Sequence, residues 1–385
     1  MISTTPRTSW REGLVAAAAA FAVFRVLTEL VGLAAAYRGS APGQALSDPS
    51  VTYRVWSQWD FNWFSDIAAK GYRALGHVVT GGRAHDGAAF PPAMPLLLRA
   101  GGAVGLPAGA TGVLVSAVFL LLALAALYIL VRDDHDASVA RWTLVLLLAY
   151  PFAFFLGTGY AESLVLLCAV GAFLAARRRA WWVAGILVGV ALLAKIVFIL
   201  LVIPISLEAI EWGGGIPSSI RRRHLPRLLA TWVPVITALG AWMIYQQVVL
   251  GDPLRFLKAQ RGWERALGLP LAQVAYIFDP ARKLGVRFIN SVDTLALLVL
   301  AVMTVCVYRR VRPTYGVLLA LLLAVFTFNT SLASNGRHLA VLFPIFLGLA
   351  IMTERRTWLR PLIVVAQLPL ALLLLSRFVT GHWAG

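Results

Sequence analysis

The sequence predicts an all-α protein that crosses a membrane many times, and three observations carry that prediction. Hydrophobic residues make up 60% of the 385-residue chain and charged residues only 13%, which excludes an ordinary soluble enzyme. Apolar stretches long enough to span a bilayer recur from Gly13 to Phe378, separated by more polar pieces. The formal charge of +17 gathers in short arginine clusters between those stretches, as a positive-inside bias produces. No basic face interleaved with aromatic rings exists, so no nucleic-acid partner is expected. The expected architecture is one integrated unit over residues 1–385. It has about 10–11 membrane segments, one of them a broken re-entrant helix pair, and two large outer loops.

Residues 1–12 are polar and basic, and Gly13–Tyr37 is the first span, without the short core and clean exit of a cleaved leader. Arg25 and Glu29 stand four residues apart within it. Such a pair either neutralises itself inside the bundle or serves a function there, and the sequence leaves both readings open. Residues 38–107 are too long for a plain turn and read as an ordered functional loop. Within it, Trp59, Trp63, Ile67 and Lys70 share one stripe of a helix that stops at Gly71. Tryptophans beside charges place such a helix in the headgroup region. Asp60 is then either a water-facing acid on an anchor helix or a general base for a partly lipid substrate. Asp66, six residues on, points about 120° away and faces solvent. His77, His85 and Asp86 match no metal-site spacing and read as surface-loop polarity. The loop holds no D-x-D pair either, so no obligatory metal is expected.

Further spans are expected at 108–131, 139–156 and 160–176. The cluster Asp133-Asp134-His135-Asp136, flanked by Arg132 and Arg141, reads as a solvated capping turn. Tyr150-Pro151 breaks one helix, and the run Gly157–Ser163 starts the next. Glu162 there either lines a cavity or caps a helix N-terminus. Residues 183–207 look like one span, but counting them so puts the later arginine clusters on the wrong side. A segment that enters, breaks near Lys195 and returns removes the conflict and gives Lys195 a polar cavity. The remainder reads as a span at 229–250, a second outer loop at 251–290, and spans at 291–308, 314–332, 337–352 and 359–378. Cys168 and Cys306 lie within apolar runs as packing residues.

Several of these stretches resemble one family. The pattern W-D-x-x-W-F-x-x-I-A-x-x-G-Y at 59–72, with Ala89-Phe90-Pro91-Pro92-Ala93-Met94-Pro95-Leu96 after it, resembles the PIG-V family of GT-C-type mannosyltransferases. That family shows Tyr where this chain has Phe64, and a second Phe before the prolines. Weaker similarities follow at Pro151–Ser163, at Phe256–Trp263 and at Arg337-His338. At Lys195 the family shows an arginine with a glycine nearby, whereas Ile-Val-Phe follows here.

The resemblance implies a GT-C bundle in a bacterial inner membrane with its active site on the extracytoplasmic side. It implies inverting transfer of a sugar, mannose by analogy, from a polyprenyl-phosphate donor to a lipid-linked glycan, glycolipid or protein acceptor. Asp60 would be the catalytic base. Lys195, Arg337 and His338 would bind the donor phosphate, and Trp59, Trp63, Tyr72, Glu162 and Arg25 would line the substrate cavity. The chemistry suits these residue types: an acceptor hydroxyl needs a carboxylate within reach. A lipid phosphate already leaves well, so it needs positive charge rather than a second acid, and no cofactor is expected. Two other classes compete. A lipid or small-molecule transporter would also carry a broken helix and buried charges, but with an internal symmetry not visible here. A non-catalytic membrane partner subunit would have no use for Asp60.

Overall fold

The structure is a computed structural model that describes residues 8–39, 50–76, 78–80, 83–214, 222–269, 271–280, 282–331 and 333–385. Helix α1 (Trp10–Gly39) leads, through a short helical turn at Val51–Arg54, to α2 (Asp60–Lys70). An antiparallel hairpin, β1 (Val78–Thr80) and β2 (Arg83–His85), pairs Val79 with Ala84 and is the sole sheet among the described residues. Then come α3 (Ala93–Ala103), α4 (Ala108–Arg132), α5 (Ala137–Leu148), α6 (Glu162–Arg177), α7 (Trp181–Ala194) and α8 (Val202–Ala209). The remaining long elements are α9 (Leu225–Leu250), α10 (Leu284–Arg310), α11 (Pro313–Phe328), the five-residue α12 (Asn335–Leu339), α13 (Phe343–Met352) and α14 (Leu359–Val379). Five of these helices, α1, α4, α9, α10 and α14, are long and apolar enough to cross a membrane. The protein is an all-α, multi-pass membrane protein.

Ion pairs fix which helix ends lie together. At one end Tyr128 at the close of α4 donates to Glu12 at the start of α1 (3.0 Å), and Arg177 at the end of α6 forks onto Asp134. Arg312, before α11, is bidentate to Glu208 of α8, with both bonds at 2.6 Å. Arg227, at the start of α9, bonds Glu211 (2.8 Å) and lies over the Trp181 ring that opens α7. The start of α7 and the end of α8 therefore sit at the same arginine-rich end. Between them the chain is extended at Lys195 (φ −150°, ψ 114°), followed by a 3₁₀ stretch Ile196–Leu201. The segment enters, breaks and returns, as the arginine parity requires. The described parts of loops 38–107 and 251–290 adjoin the far ends of α1, α4 and α9, and so lie at the opposite end.

Several expected spans are shorter than the sequence suggests. Helix α5 stops at Leu148 because Tyr150-Pro151 turns the chain, and a 3₁₀ stretch Ala153–Gly157 carries it across to α6. The expected span 337–352 is two pieces. Pro344 lacks an amide hydrogen and so opens a new helix after Leu342 instead of continuing the old one. These short pieces are walled by other helices: Phe343–Gly348 of α13 are all buried.

Helix α2 also differs from the expected headgroup stripe. Its buried face is Phe61, Phe64 and Ile67, one residue round from the tryptophan stripe, because the helix is wedged into the bundle. Gly112 and Gly159 admit the Phe61 ring; a Cβ at either would stand 2.7 or 2.5 Å from it. His77 lies outside the described residues. His85 and Asp86 are not free loop polarity. The His85 ring lies 4.4 Å from Trp263, and Asp86 takes a 2.7 Å bond from Arg255 while capping Ala88. Burial against the second outer loop drives this, since an aromatic surface shared by two loops cannot close over an unpaired acid. The Asp133–Asp136 turn does cap: Asp136 accepts from the Val139 amide, which holds its carboxyl below the usual carboxylate range.

Candidate active site

At the loop end, four charged side chains from four separate stretches converge. Asp60 opens α2, Glu162 opens α6, Lys195 stands at the break after α7, and Arg337 lies in α12. Arg337 Nη1 is 2.8 Å from Asp60 Oδ2, and its Nε is 3.1 Å from Glu162 Oε1. Lys195 Nζ is 2.6 Å from that same Glu162 oxygen. The side chains of Glu162 and Arg337 are 0% and 3% exposed, whereas Asp60 and Lys195 keep 17% and 15%. The cluster thus has a closed back and an accessible front.

Local chain geometry explains the convergence. Trp59 holds φ 53°, ψ −111°, a conformation L-residues rarely adopt, so that α2 begins at Asp60 itself. Tyr160 holds that corner, donating to Gln58 O (2.8 Å) and accepting from the Asp60 amide (3.2 Å). Glu162 is placed by the turn that follows Tyr150-Pro151, and Lys195 by the helix break that frees it from the α7 surface. The Arg337 guanidinium is 5.2 Å from the ring centroids of both Phe155 and Tyr160 and 6.0 Å from that of Trp383. Trp383 in turn packs edge-on to Trp59 at 5.3 Å.

The cluster is incompletely satisfied. Arg337 Nε and Nη1 are close to the acids but misaligned for hydrogen bonding, and Glu162 Oε2 and Ser163 Oγ are buried without partners among the described residues. Polar atoms left so in an apolar surrounding are costly unless something else meets them.

The other residues singled out in the sequence lie round this centre at differing depths. His338 points its Nδ1 at Ser334 O (2.5 Å) and lies tilted against the Phe326 ring at 5.2 Å. Trp63 stacks on Phe90 and meets Trp263, joining the two outer loops. Tyr72 donates to Phe90 O (2.9 Å) and packs on Trp242. Arg25 is engaged elsewhere, pairing with Glu29 and donating to Gly157 O (2.8 Å), while Trp56 donates to Glu29. Asp66 pairs with Lys70 (2.7 Å) on the exposed face of α2.

The sequence reading missed four residues here. Tyr160 and Trp383 wall the arginine. Arg265, in the second outer loop, stands in the field of both Asp60 and Arg337; burial and the Arg337 charge press its own charge down, and Asp60 supports it. Asp293, in α10, bonds the Gly336 amide at 2.6 Å. An acid inside the expected span 291–308 was itself a signal, because such a charge is expensive. Trp383 left none.

Beyond this cluster a cavity of about 260 Å³ opens two to three turns further along α2, roughly 10–16 Å from Asp60. Ile67, Tyr72, Pro95, Leu193 and Trp242 line it, and Arg99 stands at its edge, donating to Ala68 O (2.9 Å).

No protein-family model matches the chain, and no curated protein does. Among solved structures it is similar to ArnT from Cupriavidus metallidurans bound to undecaprenyl phosphate, at 18% identity over 86% of this chain, with a TM-score of 0.48. It is also similar to the archaeal oligosaccharyltransferase AglB from Archaeoglobus fulgidus in complex with an inhibitory peptide and a dolichol-phosphate. There the identity is 14% over 95% of this chain, with a TM-score of 0.44. The chain spans 60% of the length of the first and 56% of the second. Neither likeness assigns the chain to a family.

Proposed function

We propose that the chain is a GT-C-type inverting glycosyltransferase of a bacterial inner membrane, working at its extracytoplasmic face. In this reading it moves a sugar, mannose by the PIG-V-like motifs, from a polyprenyl-phosphate donor to a lipid-linked glycan, glycolipid or protein acceptor. The observation that carries it is the Asp60–Arg337–Glu162–Lys195 cluster, with an accessible carboxylate and lysine in front and a buried arginine behind.

The chemistry runs as a single displacement. The acceptor hydroxyl gives its proton to Asp60 as its oxygen attacks the anomeric carbon from the face opposite the phosphate. The bond between that carbon and the phosphate oxygen breaks, and the lipid phosphate departs with the electron pair. Lys195 and Arg337 offset the charge that develops there, and Arg265 adds to the field they set up. A donor phosphate entering the cluster competes with Asp60 and Glu162 for the Arg337 guanidinium, whose ion pairs to them are misaligned. No step in this scheme calls for a metal. The apolar cavity beside α2 suits part of a lipid chain, and Arg99 at its edge suits an anionic headgroup.

Incubating the purified protein with radiolabelled polyprenyl-phosphate mannose and a membrane-lipid extract tests the reading. Label should pass to a lipid or glycan product in the wild type and not in Asp60→Asn. Equal transfer by both, or none by either, defeats it.

A further inference from the structure

The site's central cation rides on a very short helix, and something must aim it. Arg337 lies in the five-residue α12, entered through Ser334 in the left-handed region at φ 77°. A single turn of helix has too few internal hydrogen bonds to hold itself in place. Gly336, the residue just before Arg337, is gripped through both its backbone groups. The Gly336 amide donates to Asp293 Oδ1 at 2.6 Å, and the Gly336 carbonyl accepts from Tyr150 Oη at 2.9 Å. A Cβ at Gly336 would stand 2.3 Å from the Phe152 ring, so that ring closes the third side.

Asp293 is an unusual holder. It sits within α10, is 0% exposed, and its Oδ2 has no hydrogen-bond partner among the described residues. A lone carboxylate in such surroundings costs more than an apolar side chain of the same size, which could fill the space but could not grip the amide.

We infer that Asp293 is a positioning residue: it clamps Gly336 against Tyr150 so that Arg337 is delivered to Asp60 and Glu162. This rests on the proposed role of Arg337 toward a donor phosphate, but the clamp itself can be read without any activity. Asp293 does not touch the reacting atoms and acts through the backbone of α12.

The test uses the full chain in lipid nanodiscs with Asp293→Ala, Asp293→Asn and Tyr150→Phe. Three quantities are measured: hydrogen exchange at the amides of 334–339, affinity for undecaprenyl phosphate, and transfer from polyprenyl-phosphate mannose. In Asp293→Ala the Gly336 amide should exchange faster, affinity should fall about tenfold or more and transfer about 100-fold. Asp293→Asn keeps an oxygen acceptor for that amide and should restore all three to within a few-fold of wild type. A purely structural acid would instead lower the unfolding midpoint of Asp293→Ala with affinity and transfer unchanged, and that result overturns the proposal. So does an alanine variant whose Gly336 exchange matches wild type. Should Asp293→Ala fail to fold, Tyr150→Phe releases the other backbone group of the same residue. Roughly tenfold slower transfer is then expected, and an unchanged rate counts against the clamp. If wild-type protein neither binds undecaprenyl phosphate nor transfers label, the glycosyltransferase reading fails, while the exchange arm still decides the clamp.

Discussion

The two ends of the bundle each bury acids beside arginines, yet they treat them differently. At the arginine-rich end Glu208 is fully met: Arg312 takes both its oxygens at 2.6 Å, and Thr314 adds a third bond at 2.6 Å. At the loop end Arg337 is shared by two acids in misaligned contacts, Glu162 keeps one oxygen unpaired, and the neighbouring Trp59 is in a strained conformation. Charges of the same type thus serve as a latch in one place and remain available in the other. A satisfied pair has nothing left to offer a ligand, whereas the strained, half-paired cluster has atoms that something else must complete.

That contrast predicts activity effects at the loop end and stability effects at the arginine-rich end. The largest is expected for Asp60→Asn, which keeps shape but cannot take a proton at neutral pH. Initial rates with a polyprenyl-phosphate sugar should fall by about 10² to 10⁴ while the unfolding midpoint holds. Near-normal turnover would remove Asp60 from the role of base.

Lys195→Ala should lower donor use by about 100-fold and Arg265→Ala by about tenfold, both read at subsaturating donor. Wild-type rates in both would mean that the leaving phosphate is met elsewhere.

Glu208→Gln should reverse the pattern, costing about 2 kcal/mol of stability with turnover unchanged below the transition. If activity collapses while denaturation curves superimpose, the two ends are not divided as described. The smallest effect belongs to Asp66→Asn, where the pair with Lys70 is exposed. Stability should stay within ~0.5 kcal/mol and the rate at wild type; a dead Asp66→Asn enzyme beside an active Asp60→Asn one would exchange the two roles.

Much of this was legible in the chain itself. Apolar length announces a membrane helix because lipid leaves backbone groups no partner but each other. The parity of arginine clusters required a break near Lys195, and the chain breaks at that residue. Asp60 stood out because an acid between tryptophans is rare, and its motif carried the resemblance. Helical angle set Asp66 apart from Asp60, and the motif resemblance favoured Asp60 of the two. What one-dimensional pattern could not supply was company. Nothing in the spacing says that residues 60, 162, 195 and 337 meet, because they belong to elements that pack only after the bundle forms. The i, i+4 spacing did offer Arg25 a partner within its own helix, but only the structure shows that it takes Glu29 rather than joining the cluster as Lys195 does.

The sequence by itself determined the class of fold, the two long loops and the broken helix. Each of these follows from local composition, or from a charge count that holds whatever the packing. The tertiary structure alone decided that the two loops close over one another through Asp86–Arg255 and Trp63–Trp263, that Trp383 returns to wall Arg337, and that Asp293 grips the peptide before it. Those contacts join residues tens to hundreds of positions apart. They are fixed by which surfaces fit when the helices pack, which no local pattern encodes.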